Sequence, residues 1–139
     1  MSDERTLPED LLDTDGNLAV VDEGESHTIV AALKHGTTAI SKADLVTLTL
    51  ELFDEATAAI INSRDGQDVL DDNGGTVSSV GVVTMELDAA DNPVVSETAD
   101  VGELEAHIAR FTWTWLSGVR TRTGKHEIRF LVRKLADPE

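Results

Sequence analysis

The chain of 139 residues contains no cysteine. That excludes disulfides, thiolate nucleophiles and cysteine-ligated metal sites. Secreted modules of this size often carry disulfides, so the absence tilts weakly against an independently secreted domain. Aromatic residues make up only 4% of the chain against 40% for all hydrophobic types, so a core must be built mainly from Val, Leu, Ile and Ala. Long apolar runs are missing as well: no window approaches the ~18 residues of a membrane-spanning helix. The opening MSDERTLPEDLLDTDG is acidic and lacks the apolar stretch of a secretory signal. Basic residues are the last shortage. Lys and Arg number 11 against 27 Asp and Glu, a net charge of -16. Such a surface repels phosphate backbones and anionic lipid, which argues against nucleic acid and membranes as partners. Only Lys34, Lys42, Lys125 and Lys134 are lysines. An acid-rich, lysine-poor composition suits high salt, where screening weakens self-repulsion; an ordinary acidic protein with basic partners has the same composition.

Motifs for catalysis are also lacking. There is no GxSxG and no GxGxxG, and Asn73-Gly74-Gly75 is not followed by the Lys-Ser/Thr of a phosphate loop. The four histidines, His27, His35, His107 and His126, show no HxxxH or HExxH spacing. His107 and His126 are the pair that adjacent strands could bring together, with no third ligand placed by a motif. Asp13-Thr14-Asp15-Gly16-Asn17 resembles part of a calcium loop, but the EF-hand register puts Leu11 at the first ligand position. Asp65, Asp68, Asp71 and Asp72 form a denser group among turn residues. They are the weak candidates for a loop-bound divalent cation, beside the simpler reading of a solvated acidic loop. No cofactor is otherwise expected, and the chain reads as a non-enzyme.

The sequence does have period-two patterning from Ser26 onward. Val46, Leu48, Leu50 and Leu52 alternate with Thr47, Thr49 and Glu51, as in a strand with one dry and one wet face. Ile29, Ala31 and Leu33 alternate likewise, as do Val83, Met85 and Leu87, and His126, Ile128, Phe130 and Val132. Six or seven short strands separated by turn signals predict an all-β antiparallel sandwich. The segment Leu104 to Leu116 breaks the rule. Leu104, Ala106 and Ile108 share one face, and Phe111, Trp113 and Trp115 share the other. Either a bulge near Ala109-Arg110 shifts the register, or both faces are covered, the second by the N-terminal arm or another subunit.

Residues 1–25 read as an acidic arm apart from a domain over 26–139. They hold nine acids and one base, and two apolar islands that contain Leu11, Leu12, Leu18, Val20 and Val21. This composition suits a segment that orders on binding a neighbour, or a solubilising tail. Removing it is expected to leave the sandwich folded but to abolish its incorporation into an assembly. Arg120, Arg122, Arg129 and Arg133, with Lys125 and Lys134, make the C-terminal region the only basic part of the chain. An acidic arm and a basic hairpin could join head to tail between subunits or within one subunit. The stripe Phe111, Trp113 and Trp115 has three readings: core, protein interface or sugar platform. Together these residues make up the candidate interface.

The runs LTLELFDEATAAIINSRDGQDVLDDNGGTV, VVTMELDAADNPVV, GELEAHIARFTWTW and GKHEIRFLV resemble small Ig-like β-sandwich virion proteins of tailed phages and archaeal tailed viruses. The resemblance spans about Ser26 to Leu135. It implies an Ig-like sandwich of about seven strands, location in the virion, and a structural role as a capsid decoration or head accessory protein, expected to dock through its N-terminal arm and sandwich surfaces, or as a neck, tail or fibre-base component. It implies other virion proteins as partners, such as the major capsid or neck proteins, and a homo-oligomer in the particle. An Ig-like module binding carbohydrate or a host surface is the alternative. No catalytic residue is carried over.

Overall fold

The structure is a computed structural model, and it describes residues 9–11 and 19–136. Among these there is no α-helix, only strands and two 3-10 turns, Lys42–Asp44 and Ala89–Asp91. The strands are β1 (Glu9–Asp10), β2 (Val20–Asp22), β3 (His27–Ala32), β4 (Lys34–His35), β5 (Thr38–Ala39), β6 (Leu45–Asp54), β7 (Gln67–Asp68), β8 (Gly75–Val77), β9 (Val82–Leu87), β10 (Leu104–Ser117) and β11 (Arg120–Arg133). One sheet has the order β1-β11-β10-β6-β7, with β2 also on β11; a second has the order β3-β9-β8; β4 and β5 form a short ribbon. Pairing is antiparallel except where β1 and β2 run parallel to β11.

The alternation read from the sequence sets the inward faces. Leu48, Leu50 and Leu52 from β6 and Ile128, Phe130 and Val132 from β11 share one core with Ile29 and Ala31 from β3 and Val83, Met85 and Leu87 from β9. The two sheets thus pack as a sandwich with a single apolar interior. Val46, expected on the same face as Leu48, is half exposed because the ladder to β10 shifts between Thr114 and Trp115.

That shift is also the correction to the bulge expected near Ala109-Arg110. Strand β10 runs in unbroken register from His107 to Thr114 against β6. His107, Ala109, Phe111, Trp113 and Trp115 all face the core, and Ile108 is buried on the opposite face. No arm or second subunit is needed to cover Ile108, which is 2% exposed in the single chain. Its rung partners are Phe53 and Arg129, and the guanidinium of neighbouring Arg110 lies 4.9 Å from the Phe53 ring centroid. Arg110 also binds Glu127 and Glu51 at 2.7 and 3.3 Å. The outer face of this sheet is therefore closed by a layer of ion pairs over an aliphatic and an aromatic side chain.

The boundary expected at 25/26 moves as well. Residues 19–22 belong to the sheet: Val20, Val21 and Asp22 pair with Leu131, Val132 and Arg133, and Val21 is fully buried. The amide of Gly24 donates to the carbonyl of Asn92, whose side-chain amide donates to the carbonyl of Glu25. The reason is local. With β2 gone, β11 would present an open edge and Val21 a hole. Deleting residues 1–25 is therefore expected to cost about 2–4 kcal/mol by the loss of apolar burial, contrary to the expectation of an independent sandwich. Urea denaturation checks this; an unchanged midpoint would place the segment outside the fold.

One buried ion pair ties the two sheets together. Arg64, in the connection from β6 to β7, meets Asp91, in the 3-10 turn after β9, through Nε–Oδ1 at 2.6 Å and Nη2–Oδ2 at 3.0 Å. Asp91 also accepts from Asn62 Nδ2 and from its own turn at Asp88 N. The remaining Arg64 donor serves Gln67 Oε1 and the Asn73 carbonyl. Burial works against the Asp91 charge, but these donors outweigh it and hold its carboxyl below the ordinary range.

Candidate functional site

The described residues offer two regions with features beyond folding, at opposite ends of β10. The first is the β10–β11 hairpin. The ladder to β6 stops at Trp115, but β10 and β11 continue to the rung Ser117–Arg120. Gly118 takes a positive φ of 66° at the first of two turn residues, which suits the right-handed twist of a tight hairpin. Residues 116–123 are all exposed, and Val119 at the apex is fully so. Arg120, Arg122 and Lys125 make no ion pair among the described residues. This hairpin is an apolar tip on a basic stem, on a chain of net charge -16.

The other expected interface residues divide differently. Arg133 holds Asp22 at 2.6 Å and Arg129 reaches Glu55 at 3.4 Å, while Lys134 lies 3.7 Å from Glu23. So the contact between the acidic N-terminal segment and the basic C-terminal strand is made within one chain, as far as residues 19–25 are concerned. Leu11 packs half-buried against the core, Val21 is inside it, and Val20 is 44% exposed. Leu12 and Leu18 lie outside the described residues. Trp113 and Trp115 are 3% and 7% exposed, so neither offers a ring face to a sugar or a partner. They belong to the core because β10 holds one register with β11, which turns His107, Ala109, Phe111, Trp113 and Trp115 to the same inward face.

The loop acids do not gather a cation site. Asp68 and Asp72 accept backbone amides of their own turns, from Leu70 and Asn73. Asp71 accepts from Val77 N and pairs with Lys42, which keeps its carboxyl below the ordinary range: the Lys42 hydrogen bond is the main cause and the Val77 amide adds to it. Among the described residues no three of Asp65, Asp68, Asp71 and Asp72 converge.

The second region lies at the other end of β10 and was missed by motif reading. Glu105 and His107 are two apart on one strand and so share a face. Asp54, at the end of β6, is the rung partner of His107. One ligand atom from each of the three lies within 4.8 Å of the others. His107 is fully buried, edge-on to Phe130 at 5.9 Å, with Nε2 at 2.6 Å from Glu105 Oε1. Asp54 is 3% exposed; its Oδ2 accepts from the Thr57 amide and hydroxyl. The Glu105 carboxylate also accepts from the amides of Val95 and Ser96. Burial opposes its charge, but these amides and His107 hold its carboxyl below the ordinary range. Asp54 and Glu105 open on a cleft of about 420 Å³, whose walls include Thr57, Val94, Val95 and Leu104. The Glu-x-His spacing is visible in the sequence, but nothing local says that Asp54 lies across the ladder. His126 is the rung partner of Phe111, four residues along from His107, so the two histidines do not meet.

No protein-family model matches the chain, and no curated protein is similar enough to be paired with it.

Proposed function

We propose that this protein is a non-enzymatic structural component of a tailed-virus particle, a capsid decoration or head accessory protein, and that it docks through the β10–β11 hairpin. The observation that carries the reading is that hairpin: two strands extended beyond the core with an exposed valine apex and three cations that make no ion pair among the described residues. Most other charged side chains that the fold brings together are used inside the chain. A basic, apolar-tipped projection fits an acidic groove on a neighbouring virion protein, since complementary charge steers and registers docking. The strand order supports an Ig-like sandwich: β3-β9-β8 takes the places of strands B, E and D, and β6, β10 and β11 those of C, F and G. Neck or tail placement is the neighbouring reading, and the acid-rich composition fits a virus of a salt-loving host.

The test is incorporation. Virus particles are grown on cells supplied with either the wild-type chain or the Arg120→Glu/Arg122→Glu chain, purified, and quantified by mass spectrometry. The wild type is expected at several copies per particle. The variant, folded by circular dichroism, is expected to fall at least tenfold. Particles that lack the wild-type chain would reject the virion role. Equal incorporation of the variant would reject the hairpin as the docking element.

A further inference from the structure

We propose that Asp54, Glu105 and His107 form a binding site for one divalent transition-metal ion of the zinc class, opening on the cleft beside Val94 and Val95. Two independent features of the fold converge here. The first is the ligand set. Two carboxylates and an imidazole come from one face of two neighbouring strands, with one ligand atom each inside 4.8 Å. An ion held at ~2.1 Å needs ligand atoms roughly 3–3.5 Å apart, so the group has to close by at most roughly 1–2 Å, within the reach of side-chain torsions. The second is unsatisfied polarity in the interior. Asp54 Oδ1 and His107 Nδ1 are both buried without a hydrogen-bond partner, although Asp54 and His107 are at least nine-tenths buried. Native interiors rarely leave such atoms unpaired.

The surroundings fit an ion better than a plain salt bridge. The fixed shell of a metal site has ligands held by other hydrogen bonds. Asp54 is oriented by Thr57, and Glu105 by the amides of Val95 and Ser96. His107 is wedged against Phe130. The imidazole selects against Mg²⁺ and Ca²⁺, which prefer all-oxygen shells, and in favour of Zn²⁺ and its softer neighbours such as Co²⁺ and Ni²⁺. Three protein ligands with a cleft beyond them leave coordination positions for water or for a donor from a docked neighbour. An ion there would join the end of β6 to β10, and through Glu105 to the 94–96 segment.

The acidic surface makes weak, scattered cation binding certain, so the experiment has to separate site from surface. The full chain is titrated with Zn²⁺ in excess Mg²⁺ by calorimetry, and with Co²⁺ by visible absorption. The proposal expects one Zn²⁺ equivalent, an upward shift in melting temperature, and Co²⁺ d–d bands that Zn²⁺ abolishes. Glu105→Gln and His107→Gln are each expected to weaken Zn²⁺ binding at least tenfold. Glu105→Gln keeps the size and shape of the side chain, so this amide variant keeps the test valid if His107→Gln does not fold. The ¹⁵N shift of the wild-type His107 imidazole on adding Zn²⁺ gives a direct reading. No Zn²⁺ equivalent beyond the Mg²⁺ background, an unshifted His107 resonance, or undiminished binding in Glu105→Gln would each overturn the site.

Discussion

Asp91→Ala is expected to destabilise the protein by about 3–5 kcal/mol, because it leaves the Arg64 guanidinium buried without its counter-charge. Both side chains are almost sealed from solvent, at 6% and 0% exposure, and the pair is bidentate. Removing the carboxylate also frees Asn62 Nδ2 and the Asp88 amide, two donors with no substitute. The pH dependence follows from the same contacts. The folded carboxyl is held below its ordinary value near 3.8. A group depressed in the folded state gives stability that is fully present above its unfolded pKa. That stability is lost as pH falls through the folded value. The wild type should therefore lose stability on acidification below about pH 4, and Asp91→Ala should lose less over the same interval. Urea denaturation at pH 7 and pH 3 checks both statements. A double replacement, Arg64→Met with Asp91→Leu, is expected to recover much of the loss, since well-packed apolar pairs often replace buried ions without penalty. An unchanged midpoint in Asp91→Ala would mean that the connection between the sheets is held elsewhere.

Trp113 and Gly124 are expected to give the second large effect. They are rung partners on β10 and β11. A Cβ added at Gly124 would stand 2.6 Å from two atoms of the indole, Cε2 and Cζ2, well inside contact distance. The ring lies flat where any other side chain would begin. Gly124→Val should displace the indole, costing about 1–3 kcal/mol by overpacking. Its emission should shift to the red as water reaches it. Trp113→Ala, which empties the space instead, should cost about 3–5 kcal/mol. Denaturation followed by fluorescence reads both. A tolerant Gly124→Val with unshifted emission would show that the ring is not held against the strand.

Much of the fold was legible in the chain, and the misses have a common cause. Alternation in Leu48 to Leu52, Val83 to Leu87 and Ile128 to Val132 marked the inward faces correctly, because burial on one side of a pleated strand imposes a period of two. In Leu104 to Leu116 the same rule left two readings open, a bulge near Ala109-Arg110 or a covered second face. Ile108 is an outward residue, and its face is covered by ion pairs on neighbouring strands of the same chain. Those neighbours are far away in sequence, so no local pattern reports them. The charge of residues 1–25 suggests an arm, whereas within that stretch the burial of Val21 is decided by the edge of β11 on which it pairs. Among the four arginines, charge alone could not separate Arg120 and Arg122, which project, from Arg129 and Arg133, which are engaged by Glu55 and Asp22. The Arg64–Asp91 pair and the Asp54–Glu105–His107 group share this character: each is assembled by topology from residues with no motif between them.

As proposed above, the chain is a part of a virus particle held there by its projecting hairpin. The most direct measurement is its copy number in purified particles, wild type against Arg120→Glu/Arg122→Glu, with both chains supplied at equal soluble levels. The account predicts several wild-type copies per particle and a loss of at least tenfold in the variant. Particles that contain neither chain, or both in equal number, would contradict it.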